Sequence, residues 1–179
     1  MAFVFLPTAL PGVLVIEPKV FEDERGFFME TYKKSEYAAS GLGFDFVQEN
    51  HSKSLRGTLR GLHAQRPPMA QAKLVRAIYG EVWDVAVDVR RDSPTFKKWV
   101  SVVLSADNRR SMFVPAGYLH GFCVLSPEAE VIYKTTAEYA PALEWGVQWD
   151  DPDLAIGWPI TAPTLSARDR RWPRLADAV

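Results

Sequence analysis

Three histidines are the residues in this sequence best suited to proton transfer near neutral pH, because the free imidazole has a pKa of about 6.5. They are His51, His63 and His120, and each stands in a polar or glycine-flanked setting. Any one of them taken alone is more often a hydrogen-bonded structural residue than a catalytic one. His63 is followed by Ala64 and Gln65, so the closely spaced ligand pair of a typical metal site is missing there.

Several cations lie close to these histidines along the chain, and they could bind a phosphate group. Arg25, Arg56, Arg60 and Lys73 are the candidates, since the sequence contains no glycine-rich phosphate loop. Lys73 begins a strongly apolar run, where a lysine usually has a partner or a function. Tyr133 shares a predicted strand face with apolar residues, and the sequence alone favours packing for it.

Most of the chain is predicted to form short strands that are separated by Gly and Pro. The clearest is Glu81–Val89, in which Asp84 and Asp88 share one face with Val82 and Ala86. The other predicted strands are Val13–Ile16, Phe27–Tyr32, Phe44–Asn50, Thr58–Gln65, Lys73–Tyr79, Trp99–Leu104, Ser111–Val114, Phe122–Leu125, Val131–Thr136 and Gly146–Trp149. One helix is predicted at Lys34–Ala39 and a second near Ser166. This pattern predicts an antiparallel sandwich or barrel.

The composition is that of one globular domain. The chain has 179 residues, of which 47% are hydrophobic and 24% charged, and the net charge is −1. A balance so close to zero gives no overall field that would attract nucleic acid or a membrane surface. We therefore expect a single domain over residues 1–179, in which a tryptophan-rich strap at about 150–179 packs on the barrel.

Cysteine content and the N-terminus bear on the protein's location. The single cysteine, Cys123, excludes an intrachain disulfide and is interpreted as a small apolar side chain. The apolar N-terminus lacks a basic region and is interrupted by Pro7 and Pro11, so a strand is expected there rather than a signal peptide. We expect a cytoplasmic protein.

Short motifs distributed over almost the whole chain resemble those of the dTDP-4-dehydrorhamnose 3,5-epimerase family, in the family's order. They are Phe21–Phe28, Val47–Lys53, Leu59–His63, Gln71–Arg76, Gly80–Arg90, Ser93–Phe96, Pro115–Phe122, Tyr133–Thr136 and Ser166–Asp169. The resemblance implies an all-β, cupin-type jelly-roll β-barrel with a few short helices, usually a homodimer. It also implies a dTDP-sugar substrate and no metal or other cofactor.

The family's reaction converts dTDP-4-keto-6-deoxy-D-glucose into dTDP-4-keto-L-rhamnose, a precursor of cell-surface polysaccharide. The C4 ketone acidifies the hydrogens on C3 and C5, so inversion needs a base, an acid across the ring and a cation at the enolate oxygen. By matching position, His63 would be the base and Asp169 would orient it. Lys73 would stabilise the enolate, and Tyr133 would be the acid.

Other residues match family positions that bind the nucleotide and the sugar. They are Arg25, Glu30, Gln48, Asn50, Arg60, Lys73, His120, Glu144 and Arg168, together with Tyr139, which would stack on thymine. Ala64 departs from the family, which often has Phe or Tyr there, and this change could loosen the pocket wall. Arg168 replaces the usual Lys and keeps its charge with a different donor geometry.

A parity conflict arises at the motif Leu59–His63. Arg60 and His63 should face opposite sides of a regular strand, yet both are expected to reach the ligand. We therefore expect Gly61 to mark a bulge or the end of a strand.

Three alternatives remain open at this stage. Relatives in antibiotic pathways invert only C3 or only C5, and the sequence barely distinguishes them. The Pro-Ala-Gly-x-x-His run before Gly121 also resembles a cupin motif that often binds metal, so a metal-dependent cupin that uses His51, His63 and His120 is a second alternative. A sugar-binding cupin without catalytic activity is the third.

Overall fold

The structure is a computed structural model that describes residues 1–178, so Val179 of the expected domain lies outside the described residues. The strands are β1 (Phe3–Pro7), β2 (Leu14–Pro18), β3 (Val20–Asp23), β4 (Gly26–Met29), β5 (Gln48–Leu55), β6 (Leu59–Gln65), β7 (Lys73–Tyr79), β8 (Glu81–Asp88), β9 (Trp99–Ser105), β10 (Ser111–Val114), β11 (Tyr118–Val124), β12 (Glu128–Thr135) and β13 (Glu144–Gly146). The helices are α1 (Lys34–Ala39) and α2 (Leu175–Ala178), with 3₁₀ turns at Pro141–Leu143 and Asp169–Arg171. The predicted all-β class with a few short helices is confirmed.

Two antiparallel sheets pack face to face. One has the order β1-β2-β10-β7-β12-β5 and the other the order β13-β6-β11-β8-β9, while β3 and β4 form a separate hairpin. Side chains from the facing sides of both sheets form the core between them, among them Val75, Val131, Val82, Ala86 and Phe122. This is the expected jelly-roll barrel, and it leaves polar side chains at one end of the sandwich to form a cleft.

Strand β8 has the alternation that its sequence predicts. Val82 and Ala86 lie in the core between the sheets, whereas Val85 and Val87 belong to a second apolar cluster on the other face. Asp84 shares the inward face with Val82 and is fully buried. A carboxylate at such a position costs free energy unless it has partners.

Strand β5 lies later in the sequence than the predicted strand Phe44–Asn50. Phe44 instead stacks on Phe113 with ring centroids 5.6 Å apart, and Phe46 packs edge-on against Tyr32. The true strand is polar because its inward face lines the cleft. Strand β11 also begins before the predicted Phe122–Leu125. Both of its faces are buried, and its sequence therefore lacks the alternation that marks a half-buried strand.

Gly61 marks the predicted bulge. In the antiparallel pair of β6 and β11, His63 is opposite His120 and Arg60 is opposite Phe122, so two residues of β6 face one of β11. The backbone of Gly61 has φ +124°, and an added Cβ would lie 2.6 Å from Gly121 Cα. The bulge places Arg60 and His63 on the same side, and both line one cavity.

Replacing Gly61 by Ala is expected to destabilise the fold by about 2–4 kcal/mol, since both backbone strain and overpacking oppose the methyl group. Chemical denaturation measures the loss. Gly43→Ala is a matched control, because its nearest contact would be an ordinary 3.9 Å from Ala38 Cβ. We expect that control to change stability by less than about 0.5 kcal/mol. Equal stability of the two variants would contradict the proposed backbone constraint.

Residues 150–178 pack on the outer face of the sheet that contains β6. Trp158 donates a hydrogen bond from Nε1 to the carbonyl of Trp149 at 2.8 Å and lies edge-on against Trp83. Leu154 and Leu175 are buried in the same apolar cluster. This packing carries residues 164–169 to the rim of the cleft, where several of them line it.

Cys123 is buried in strand β11, as its interpretation as an apolar side chain predicts, and burial raises the pKa of its thiol to about 11. Among residues 1–178, no helix has both the length and the apolar character needed to span a bilayer.

Candidate active site

Two adjoining cavities form one cleft between the sheets. Their volumes are about 320 Å³ and 280 Å³, and His63, Lys73, Tyr133 and Arg168 line both. The first cavity continues toward Arg60 and the C-terminal segment, and the second toward β5 and β13. The shared residues are therefore at the centre of an elongated site.

The central residues come from opposite walls of the cleft. His63 lies on β6 of the five-stranded sheet, whereas Lys73 on β7 and Tyr133 on β12 belong to the six-stranded sheet. β7 and β12 are neighbours, and Lys73 is opposite Thr135 in their register. A small molecule in the cleft therefore has an imidazole on one side and a phenol and an ammonium on the other.

The surroundings of His63 favour its neutral form. Burial holds the pKa of this imidazole well below its usual value, and the positive charges of Lys73, His120, Arg168 and Arg60 lower it further. A neutral imidazole at pH 7 can accept a proton. His63 Nδ1 is buried and has no hydrogen-bond partner among the described residues.

Asp169 does not make the hydrogen bond expected of it. The residue lines the first cavity and is 2% exposed, but its Oδ1 accepts a hydrogen bond from Trp172 Nε1 at 3.3 Å. The backbone amide of Asp169 donates to Ser166 Oγ at 3.0 Å, so the Ser166 hydroxyl caps a tight turn there. The prediction that Asp169 orients His63 does not describe this arrangement, because Nδ1 of His63 is left unpaired.

Lys73 is a buried ammonium with a lowered pKa. Burial lowers this pKa from 10.5 to about 8, although the negative charges of Asp84 and Glu144 oppose the fall. The side chain is therefore mostly charged at pH 7 and loses its charge above pH 8. A cation in such a confined site interacts strongly with any negative charge that develops beside it.

Tyr133 keeps its proton at neutral pH. Burial raises the pKa of this phenol above 10, and the nearby charges of Arg60 and Arg168 only partly oppose the rise. A neutral phenol can donate a proton to a carbon or oxygen atom in the cleft. Although the ring also packs against the core cluster, the packing predicted from the sequence alone is only part of its environment.

The first cavity is lined by donors that suit an anion. Arg60 is held by hydrogen bonds from its Nε to Ser54 Oγ at 3.0 Å and from Nη2 to the carbonyl of Lys53 at 3.3 Å. His120 on β11 lies opposite His63 on β6, and its Nε2 is 2.8 Å from Asp84 Oδ1. Both side chains face the same space, as predicted for residues that bind the ligand.

A network of polar side chains lines the second cavity. Arg168 forms an ion pair with Glu144 at 2.8 Å, and the Tyr139 hydroxyl donates to the same carboxylate at 3.0 Å. Gln48 donates to Asn50 at 2.8 Å and accepts from the Tyr139 amide. Tyr139 is 49% exposed, which leaves its ring available for stacking.

Comparison with known proteins adds an independent observation. The family model described as dTDP-4-dehydrorhamnose 3,5-epimerase matches residues 7–177. The chain is 55% identical over 172 residues to the dTDP-4-dehydrorhamnose 3,5-epimerase of Pseudomonas aeruginosa, covering 95% of this chain and 94% of that protein. This chain belongs to the dTDP-4-dehydrorhamnose 3,5-epimerase family.

Solved structures of epimerases share the fold. The dTDP-6-deoxy-D-glucose-3,5-epimerase of Legionella pneumophila, in complex with dTDP-4-keto-L-rhamnose, matches with a TM-score of 0.94 and 44% identity, over 97% of this chain and 93% of that one. ChmJ, a 3'-monoepimerase from Streptomyces bikiniensis in complex with dTDP-quinovose, matches with a TM-score of 0.89 and 37% identity, over 96% and 87%. Thus the fold accommodates epimerases of more than one regiochemistry.

Two residues predicted to bind substrate lie outside the cleft of this epimerase-family chain. Arg25 is in the turn of the β3–β4 hairpin and pairs with Asp23 at 2.5 Å, while Glu30 pairs with Lys33 at 3.7 Å. Neither lines either cavity. The hairpin forms its own two-stranded sheet, which explains why sequence position alone did not place these residues.

The three histidines do not converge on one point. His51 is an exposed residue of β5 whose Nε2 lies 2.8 Å from Glu130 Oε2, and it lines neither cavity. Within residues 1–178, no group of three His, Cys, Asp or Glu side chains has a geometry that would hold a metal ion. The metal-dependent alternative, which needs His51 beside His63 and His120, therefore has no support from the positions of these residues.

The sequence analysis missed one buried residue that contacts the site. Asp84 is completely buried on β8, contacts His120 and acts on the charge of Lys73. An acidic residue between Val82 and Ala86 on the inward face of the strand was the signal that could have identified it.

Proposed function

We propose that this protein converts dTDP-4-keto-6-deoxy-D-glucose into dTDP-4-keto-L-rhamnose by inverting C3 and C5. The observation that carries this proposal is the placement of His63 and Tyr133 on opposite sheets, with Lys73 in the same cleft. Inversion next to a ketone needs a base and an acid on opposite faces of the ring. Membership of the epimerase family supports the same substrate.

His63 starts each inversion by removing a proton from the carbon next to the C4 ketone. The proton passes to an imidazole nitrogen, the C–H bond breaks, and its electron pair moves into an enolate with the negative charge on O4. The low pKa of His63 keeps the base unprotonated at pH 7. The imidazolium that forms among cations is offset by the enolate charge that appears beside it.

Lys73 binds the enolate oxygen. Its ammonium is mostly charged at neutral pH and is 6% exposed, so little water competes for it. An electrostatic donor of this kind contributes about 10²–10³-fold to the rate of such reactions.

Tyr133 completes the inversion from the other face. Its phenol gives a proton to the carbon, the enolate electrons form the new C–H bond, and the ketone returns. The tyrosinate then regains a proton from solvent, and the His63 imidazolium releases its proton to solvent before the second inversion. Positive charge from Arg60 and Arg168 stabilises the tyrosinate during this interval.

The nucleotide is expected to be bound along the cleft on both sides of these residues. Arg60 and His120 offer donors for the diphosphate, while the exposed ring of Tyr139 stacks on thymine. Gln48, Asn50, Glu144 and Arg168 hold the sugar and the nucleoside. Asp169 holds the turn that forms this wall through its bond with Trp172, and we assign it that supporting role.

Homodimerisation would account for Arg25 and Glu30. The β3–β4 hairpin exposes Phe27 and Phe28 beside Arg25, and a second copy of the chain would cover this apolar surface and receive Arg25 in its cleft. Sedimentation at micromolar concentration tests this, since a purely monomeric protein would contradict it.

Residence in the cytoplasm also stays a prediction.

A mono-epimerase of the same substrate class is the second candidate function. The 37% identity to the 3'-monoepimerase ChmJ favours it, but less strongly than the 55% identity to the Pseudomonas enzyme favours the double epimerase. Ala64 lines the second cavity, where a larger side chain would make the cavity narrower. A change of substrate preference is therefore expected at this wall.

Product analysis tests the proposed function. The purified protein is incubated with dTDP-4-keto-6-deoxy-D-glucose and a reductase that forms dTDP-L-rhamnose, and the sugar nucleotides are separated. We expect dTDP-L-rhamnose to accumulate only when both proteins are present. A product inverted at one carbon would support the mono-epimerase, whereas unchanged substrate would refute both functions.

A further inference from the structure

Asp84 is a buried acidic residue, and burial of its carboxylate costs free energy. It is 0% exposed in the middle of β8, and its Oδ2 has no hydrogen-bond partner among the described residues. Its Oδ1 is 2.8 Å from His120 Nε2. A buried carboxylate with one unpaired oxygen contributes little to stability and is costly to desolvate.

The negative charge of Asp84 favours the charged form of Lys73. Burial lowers the pKa of the Lys73 ammonium, and Asp84 is the largest of the influences that oppose this change. Glu144 opposes it less, and the carboxylate of Glu144 is already paired with Arg168 at 2.8 Å. The negative charge of Asp84 therefore favours the Lys73 ammonium more than that of Glu144 does.

The ionisable groups around Lys73 come from several elements of the fold. They are Tyr133 on β12, Arg60 and His63 on β6, Asp84 on β8, His120 on β11, Tyr139 and Glu144 at β13 and just before it, and Arg168 and Asp169 of the C-terminal segment. The basic members of this set disfavour the ammonium, and Asp169 is engaged by Trp172. Asp84 is the carboxylate best placed to balance them.

We propose that Asp84 is a positioning residue for the epimerase reaction, whose carboxylate fixes His120 and keeps the Lys73 ammonium charged where the enolate forms. The proposal rests on the proposed function, because it assigns Asp84 a role through two residues of that site. It predicts that removal of the charge changes the pH dependence of catalysis, which a merely structural residue would leave in place.

The test replaces Asp84 by Asn and measures the rate of solvent deuterium exchange into the substrate between pH 6 and pH 9. Lys73 has a pKa of about 8 in the unmodified protein, so exchange should decline above that pH. Loss of a nearby opposite charge is expected to move the decline about one unit lower. The variant should then lose about fivefold more activity at pH 8 than at pH 6, beyond any uniform loss.

Asp88→Asn is the matched control. Asp88 lies on the same face of the same strand and is also 0% exposed, but its carboxylate is bonded to Arg90, Ser93 and Thr95 rather than to a residue of the cleft. We expect this control to lower the melting temperature and to leave the pH dependence unshifted. An unshifted profile in Asp84→Asn, with folding intact, would overturn the proposal.

A second variant covers the case in which Asp84→Asn does not fold. Asp84→Ser is smaller and uncharged, leaves room for a water molecule and should give the same shift, whereas an unshifted profile in this variant overturns the proposal. If the unmodified protein itself catalyses no exchange, the proposed function fails. If it does and the Asp84 variants retain its pH profile, only the role of Asp84 fails.

Discussion

Replacement of His63 by Asn is expected to reduce epimerisation by about 10³–10⁴-fold, since the amide cannot accept the proton that a general base must take. Asn is close in size to the imidazole, and His63 Nδ1 makes no hydrogen bond within residues 1–178 that the change would break. The affinity for dTDP should stay within about threefold, because Arg60 and Tyr139 are untouched. Steady-state rates and calorimetric titration with dTDP measure the two quantities.

His51→Asn provides the matched control for this substitution. His51 lies on an exposed position of β5 and pairs with Glu130, away from both cavities. Its replacement should leave turnover unchanged. Turnover in His63→Asn equal to that of the unmodified protein would show that another group removes the proton.

Tyr133→Phe is expected to separate proton exchange from inversion. The variant keeps His63 and Lys73, so the base still removes a proton and can return deuterium from the same face. Without the phenol, inversion should fall by about 10²–10⁴-fold. The fold should be retained, because the hydroxyl makes no hydrogen bond within the described part of the chain. Proton NMR in D₂O follows exchange and product together.

The control for Tyr133→Phe is Tyr79→Phe, which removes the hydroxyl of an exposed tyrosine on β7 that lines neither cavity. It should behave as the unmodified protein does. Inversion at an undiminished rate in Tyr133→Phe would exclude the phenol as the acid.

Local patterns in the sequence predicted much of the fold. The helix Lys34–Ala39 has the predicted bounds, and the strict alternation of β8 gave its two faces correctly. The bulge at Gly61 followed from the conflict in parity between Arg60 and His63. The prediction of β5 was wrong by several residues, because aromatic residues suggested a strand where the chain packs as a loop and the polar strand beyond lines the cleft.

The resemblance of motifs predicted residues that the structure brings together. His63, Lys73, Tyr133 and most of the expected binding residues line one cleft, although they are far apart in the sequence. Hydrogen-bond partners could not be predicted, because they depend on side-chain conformations. The sequence therefore could not show that Asp169 pairs with Trp172 rather than with His63. Asp84 was not predicted, because its contact with His120 and its effect on Lys73 involve residues of other strands.

Position-resolved deuterium incorporation is the measurement that tests the central claim most directly. The unmodified protein is incubated with dTDP-4-keto-6-deoxy-D-glucose in D₂O, and proton NMR records the signals of the hydrogens on C3 and C5. Proton removal by His63 on both sides of the ketone predicts deuterium at both carbons, with inversion at each. Absence of deuterium at both carbons, in a folded protein that binds dTDP, would contradict the mechanism.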